Sequence, residues 1–451
     1  MTILLVGCYE LGRQPFGLAS PAAWLRNRGH SVRCIDLSRE SMDQEALAEA
    51  QLIVFYLPMH TATRLALAWV KAIRAGNPAA HLCASGLYAP LNEALLRRAG
   101  FGFVLGAEFE GQLSELAEAL SRGRPFTAEA NGKTAIPRLS FCLPDRSDLP
   151  ALGKYAHLVL PDGTHRTAGY TEASRGCKHL CRHCPIVPVY SGQFRVVARE
   201  IVLADIRQQV AAGAEHITFG DPDFFNGITH AVRIVEALHA EFPRVTYDAT
   251  IKVEHLLRHA DHLGTLAATG CLFVTSAVES LDDEVLRKLE KGHTRADFLE
   301  ALNLAEHAGL AVQPTFVPFT PWTTRESYCD LLQVIEDRDL VLSVPSVQLA
   351  IRLLIPCGSR LLELPDIRKI VTDFDAERLV YPWQHPKPEL DALAARVSDI
   401  VAEGNRRKLS RPEIFEQIRQ LAEELQPAGR RSPNVTVSPR AVPFLTEPWY
   451  C

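Results

Sequence analysis

The sequence predicts an α/β protein: a doubly wound N-terminal domain, then a partial (β/α)6 barrel, then a mainly helical C-terminal extension. Three observations predict it. The first 125 residues alternate short apolar runs with helical patterns, which builds a parallel sheet covered on both faces. A second series of about six strand–helix units runs on from there, the pattern of a parallel barrel or part of one. Residues 388–403 and 411–425 then carry helical periodicity. With 451 residues the chain exceeds one comfortable core. The expected divisions are 1–125, a connector over 126–165, the barrel over 166–365, and the extension over 366–451.

Taken in order, Ile3 to Val6 is a strand-like run ending in Gly7. Ser20 to Arg28 reads as a helix closed by Gly29, and Ser31 to Asp36 as the next strand. Leu52–Leu57, His81–Ser85 and Phe103–Leu105 continue the strands, with helices around Thr63–Ala75 and Leu91–Arg98. A helix over 111–121 closes the unit before Arg122-Gly123-Arg124-Pro125 breaks the pattern. The connector is Pro-rich (Pro137, Pro144, Pro150). Its turn Pro161-Asp162-Gly163 should join strands Tyr155–Leu160 and Thr164–Thr171. Barrel strands are expected near 168–174, 215–220, 244–250, 271–279, 311–319 and 345–354, spaced by helices such as Val197–Ala212 and Ala296–His307.

Composition excludes several function classes. A net charge of −5 with 22% charged residues gives no basic face for nucleic acid. The short clusters Arg406-Arg407-Lys408 and Arg430-Arg431 read as solvated helix ends or loop. No run of about eighteen apolar residues suggests a membrane span. The N-terminal Leu5-Val6-Gly7-Cys8 lacks the basic start and apolar core of a signal peptide and reads as a buried strand. Eleven cysteines, an odd number and mostly isolated, are not a disulfide framework. A cytoplasmic protein with reduced thiols is therefore expected.

Glu172 to Pro185 carries the strongest signal. Cys177, Cys181 and Cys184, spaced by four and three, directly follow the first strand of the second series. That places them on a loop at the C-terminal edge of a parallel sheet, where α/β folds put their chemistry. One loop lets three thiolates converge on an iron–sulfur cube, leaving one iron open. Zinc, with His179 or His183 as fourth ligand, is the rival.

Cys177-x-x-x-Cys181-x-x-Cys184 resembles the defining motif of the radical S-adenosylmethionine (SAM) superfamily. The resemblance implies a [4Fe-4S] cluster on the three cysteines, whose open iron chelates SAM. Reductive cleavage to a 5′-deoxyadenosyl radical then starts chemistry on a substrate, with an electron from a donor such as flavodoxin or ferredoxin. His183 stands where the family has an aromatic residue and would border the adenine. Gly220-Asp221, ending the second strand, resembles the segment that meets the methionine amino group. Glu279, ending the fourth, resembles the carboxylate that meets the ribose. Ser280 with Asp283 reads as a helix N-cap, and Lys291-Gly292 as that helix's stop. Gln313 to Thr323 should form the fifth strand and a loop facing the cavity. Arg352, a charge in an apolar strand, needs an anion: a substrate or SAM carboxylate with a catalytic role, or an internal acid. Lys252 is a similar case.

The first domain resembles the cobalamin-binding arrangement of one radical SAM subfamily. The residues concerned are Gly7, Gly86, Gly106 and Glu108, the last two within Gly106-Ala107-Glu108-Phe109-Glu110. The Asp-x-His-x-x-Gly segment that coordinates cobalt from below is absent. With cobalamin, the resemblance implies methyl transfer. Without it, dehydrogenation, rearrangement or thioether formation are open. A non-enzymatic iron–sulfur or zinc redox or sensor protein is the alternative class. The final Glu447-Pro448-Trp449-Tyr450-Cys451 resembles the radical SAM group named for its CUAEP or CCAEP tail. That resemblance implies a selenocysteine codon read as a stop after Cys451, and a terminal redox pair that could reach the active site.

Overall fold

In β1 (Thr2–Gly7) successive side chains leave opposite faces, and both faces are buried. Ile3 and Leu5 pack with Leu18 and Leu113 on one side, and Leu4 and Val6 with Phe55 and Leu96 on the other. This two-sided burial is why the strand reads as a continuous apolar run. The computed structural model describes residues 1–106, 108–126, 139–424 and 442–447.

β1 pairs in parallel with β2 (Ser31–Asp36) and β3 (Leu52–Tyr56), and β4 (His81–Ser85) and β5 (Phe103–Leu105) follow, in the order β2-β1-β3-β4-β5. The order reverses between β1 and β3, the kind of crevice where doubly wound folds hold ligands. The helix expected from Ser20 spans Phe16–Asn27, with Pro21 inside it, because Phe16 and Leu18 are buried and draw the first turn onto the sheet. The closing helix is Phe109–Ser121.

The Pro161-Asp162-Gly163 turn joins β6 (His157–Val159) to β7 (His165–Thr171) as an antiparallel pair. Gly163 takes φ +80°, and Thr164 N donates to Asp162 Oδ1 at 2.9 Å. A small ribbon of β8 (Ser174–Gly176) and β9 (Phe194–Val196) follows. β7 then pairs in parallel with β10 (His216–Phe219), and β11 (Thr246–Thr250), β12 (Cys271–Glu279) and β13 (Ala311–Phe316) extend the sheet. With the short β14 (Phe444–Leu445) on β6, the order is β13-β12-β11-β10-β7-β6-β14.

This is a partial barrel with five parallel strands. The strand expected over 345–354 is instead a 3-10 turn at Ser346–Leu349 and a single parallel bridge, Phe319 to Arg352. The Gln348 side chain explains the difference. Its Oε1 accepts from Phe316 N at 3.1 Å, occupying the edge bond a sixth strand would need. Helices Pro388–Arg406 and Arg411–Glu424 form the extension and bury Leu393, Val397 and Ile418 in the barrel's core. Among the described residues no helix is long and apolar enough to cross a membrane.

Candidate active site

The loop leaving β7 carries the three cysteines, and several local features fix its path. Gly176 has φ +74°, and a Cβ there would lie 2.4 Å from Gln193 O and from the Tyr190 ring. Only glycine fits that turn. Asp221, just beyond β10, is buried; Oδ2 accepts from Ala173 N at 2.9 Å and Oδ1 from Ser174 Oγ at 2.5 Å. Burial pushes its carboxyl up to about 7, against the pull of those two bonds. Asp221, expected at the SAM amino group, is thus engaged with the cluster loop itself. The neighbouring Gly220 lies under Tyr170, whose hydroxyl would be 1.9 Å from a Cβ.

The loop brings the three cysteine side chains within electrostatic reach of one another. Burial raises the Cys184 thiol to about 12, and the charges of Cys181 and Cys177 add to it. Burial also raises Cys177, partly offset by the His179 backbone N–H. Lys252 Nζ lies 3.9 Å from Cys181 Sγ. Lys291, expected as a helix-end charge, is buried: its pKa is raised by Glu279 and then by Cys181 and Cys184, although burial opposes this. Three thiols carried on one loop, with Lys252 and Lys291 beside them, form a donor set for a thiolate-ligated metal cluster.

Glu279 ends β12 in the left-handed region at φ +70°, where the pairing with β13 shifts register. Lys291 Nζ lies 3.3 Å from its Oε1 and His183 Nε2 3.1 Å. Burial would raise the carboxyl, but Lys291 and His183 hold it at about 2, so it is ionised. His183, expected beside an adenine, therefore pairs with Glu279. The helix after it is capped by Asp282, whose Oδ1 accepts from Glu284 N and Val285 N. Ser280, expected as that cap, accepts from Asp282 N instead. Glu290 takes the first left-handed position after the helix and Gly292 a second.

Arg175 was not singled out by the sequence. Its guanidinium reaches Glu172 Oε2 at 2.7 Å, Glu110 Oε1 at 2.7 Å and Glu108 Oε2 at 3.2 Å. It thereby ties the cluster loop to the C-terminal edge of the first sheet. Tyr190 OH also donates to Glu108, at 3.1 Å. The glycines at that edge are held close by the chain itself. Leu18 lies against Gly7, Tyr56 and Leu57 against Gly86 (φ +103°), and Pro90 against Gly106.

Arg352, a candidate catalytic residue in the sequence, pairs with Asp391 Oδ1 at 2.5 Å, donates to Trp383 O at 2.8 Å and lies 3.7 Å from the Trp383 ring centre. Its anion is the internal acid, supplied by the C-terminal extension. Cys451 lies outside the described residues. At the second sheet, Asp248, Thr275 and Gln313 line a mixed cavity with Arg13, Arg411, Phe273, Phe444 and Leu445. Asp248 accepts from His216 Nε2 at 2.9 Å and from Thr218 Oγ1 at 2.6 Å.

Residues 171–337, which include all three cysteines, Asp221 and Glu279, match the radical SAM superfamily. The chain carries a radical SAM domain. Among curated proteins it is similar to the hopanoid C-3 methylase of Methylococcus capsulatus, 26% identical over 83% of this chain and 74% of that one. It is also 25% identical to the tRNA-2-methylthio-N(6)-dimethylallyladenosine synthase of Desulfosudis oleivorans, over 41% of each chain. The fold is that of OxsB, a cobalamin-dependent SAM radical enzyme solved with aqua-cobalamin and SAM. There the TM-score is 0.71, with 14% identity, over 94% of this chain and 70% of that one. It is likewise that of TsrM from Kitasatospora setae, a radical SAM methyltransferase solved with tryptophan and a SAM analogue, at TM-score 0.65 and 18% identity over 80% and 76%. In the radical SAM domain the cysteine loop, Asp221 and Glu279 all stand at the C-terminal ends of the parallel strands.

Proposed function

We propose that this protein cleaves SAM reductively at a [4Fe-4S] cluster held by Cys177, Cys181 and Cys184, and uses the radical to methylate a substrate with cobalamin as methyl carrier. The gathering of three thiols on one loop beside Lys252 and Lys291, inside a radical SAM domain, carries this reading. When bound, the cluster supplies the electron that breaks the S–C5′ bond of SAM, and cobalamin supplies a methyl group.

The chain's own residues bind, orient and neutralise. Lys252 and Lys291 offset thiolate charge. Asp221 and Gly176 fix the path of the cysteine loop, and Gly220 lets Tyr170 close over the end of β10. Glu279, ionised between Lys291 and His183, sets a fixed negative charge at the end of β12, suited to the hydroxyls or ammonium of SAM. Cobalamin suits the edge marked by Gly7, Gly86, Gly106 and Glu108, which faces the cysteine loop through Arg175. Glu10, just past β1, has a buried Oε2 with no hydrogen-bond partner, and burial raises its carboxyl well above the usual range. A neutral carboxyl there matches the amide-bearing rim of a corrin. The similarity to the hopanoid methylase supports methyl transfer over the other radical outcomes.

Anaerobic reconstitution, reduction and incubation with SAM should yield 5′-deoxyadenosine and methionine. Their absence at any reductant strength would sink the reading. Hydroxocobalamin should co-purify after desalting with a shifted visible spectrum; without retention, the methyl-transfer half fails and SAM cleavage stands alone.

A further inference from the structure

Around the middle of the cysteine loop lies a second group of ligating side chains, apart from the three cysteines. His179 sits in the cysteine loop between Cys177 and Cys181, Asp223 in the loop after β10, and His255 on the helix Val253–Arg258 after β11. One ligand atom from each lies within 4.8 Å of the others. Asp223 Oδ2 is 2.7 Å from His255 Nδ1 and 3.4 Å from His179 Nε2. Asp223 and His255 are both more than nine-tenths buried.

These separations alone would also suit a hydrogen-bonded relay. The orientations do not. His179 Nε2, Asp223 Oδ2 and His255 Nδ1 are all buried atoms that lack a hydrogen-bond partner of acceptable geometry. Three such atoms within 4.8 Å of one another are costly unless something between them accepts their lone pairs. Atoms at about 2.1 Å from a common metal are about 3 to 3.4 Å apart when adjacent in its coordination sphere, close to the 2.7 and 3.4 Å between Asp223 Oδ2 and the two imidazole nitrogens. The surroundings are those of a metal site too. The other nitrogen of His179, Nδ1, faces Glu254 Oε2 at 3.5 Å, as a ligating histidine turns its second nitrogen to a carboxylate. Asp223 Oδ1 is held by Lys252 N at 3.4 Å, leaving Oδ2 directed inward.

We infer that His179, Asp223 and His255 form a site for one divalent transition-metal ion, separate from the iron–sulfur cluster. Two imidazoles and one carboxylate from three segments leave room for water and suit zinc or ferrous iron. The ion would bind the middle of the cysteine loop to the loops after β10 and β11, the two segments that also carry Asp221 and Lys252. Its role is to hold the cluster loop, and it does not depend on SAM being cleaved.

Zinc is the probe. Cluster-reconstituted protein is equilibrated with zinc sulfate, desalted anaerobically, and measured for zinc and iron per chain and for zinc K-edge X-ray absorption. About one zinc per chain is expected, with only nitrogen and oxygen at about 2.0–2.1 Å. His255→Ala should bring zinc to background while leaving iron content and cluster absorbance in place. Should that variant not fold, Glu254→Gln, at the rim of the site, should weaken zinc binding by about 10- to 100-fold. No retained zinc, a shell containing sulfur at about 2.3 Å, or zinc unchanged by these substitutions would overturn the inference. SAM cleavage is read separately, so failure of this site and failure of the proposed function remain distinct.

Discussion

Both sheets end their parallel strands toward the cysteine loop, yet the two edges handle charge in opposite ways. At the second sheet, Glu279 is matched by Lys291 and His183, and the thiols by Lys252 and Lys291. At the first, Glu10, Glu108 and Glu110, met by Glu172 from the end of β7, crowd an edge where Arg175 bonds three of the four carboxylates. Burial accordingly raises Glu10, Glu108 and Glu172, while the bonds to Arg175 and Ser20 hold Glu110 low. The same secondary structure thus supplies one edge poised for a cluster and another poised for a neutral or cationic group. Arg175, two residues before Cys177, is the hinge pin between them.

The largest break is at the thiols. Replacing any one of Cys177, Cys181 or Cys184 by Ala should remove the cluster's absorbance and abolish 5′-deoxyadenosine formation, measured against unchanged far-ultraviolet circular dichroism. Arg175→Met comes next. It leaves three buried carboxylates without their cation, which costs about 3–5 kcal/mol. Chemical denaturation should show the loss, and limited proteolysis should cut sooner between the two sheets.

Asp221 separates burial from bonding. Its folded carboxyl, near 7, lies above the ordinary value of 3.8, so the unfolded chain ionises first. Its contribution is therefore complete below about pH 4 and is lost as pH rises toward 7. Asp221→Asn should flatten that part of the stability–pH curve, whatever it does to absolute stability. A slope identical to wild type would contradict the assignment. The smallest effect belongs to the far end of the barrel, where Phe444 packs on Arg411 with 4.6 Å from guanidinium to ring centre. Phe444→Ala should cost about 0.5–1 kcal/mol in cation–π contact and leave SAM cleavage unchanged.

What the sequence made legible was local. The cysteine spacing, the Pro161-Asp162-Gly163 turn and the two C-terminal helices each depend on neighbours within a few residues, and each stands close to where the pattern put it. Glu279 was placed at a strand end by the same logic, though its partners were not foreseen. Arg175 escaped because two of its acids lie 67 and 65 residues earlier in the chain. Lys291 satisfied a helix-end rule and so concealed its burial beside Glu279. Arg352 sat in an apolar run that resembled a strand. Its anion, Asp391, lies on a helix 39 residues on, and the Gln348 side chain took the strand's place. His179 and His255 were unreadable as a pair, since 76 residues separate them and only the barrel brings the loops together.

The proposed function stands or falls on whether the three thiols hold a cluster with an iron open to SAM. Electron paramagnetic resonance of the reduced, reconstituted protein tests it most directly. A [4Fe-4S]+ signal is expected whose g-values change on adding SAM in wild type and which is missing in the Cys177→Ala, Cys181→Ala and Cys184→Ala variants. A wild-type signal unaltered by saturating SAM, or one that persists without the cysteines, would contradict it.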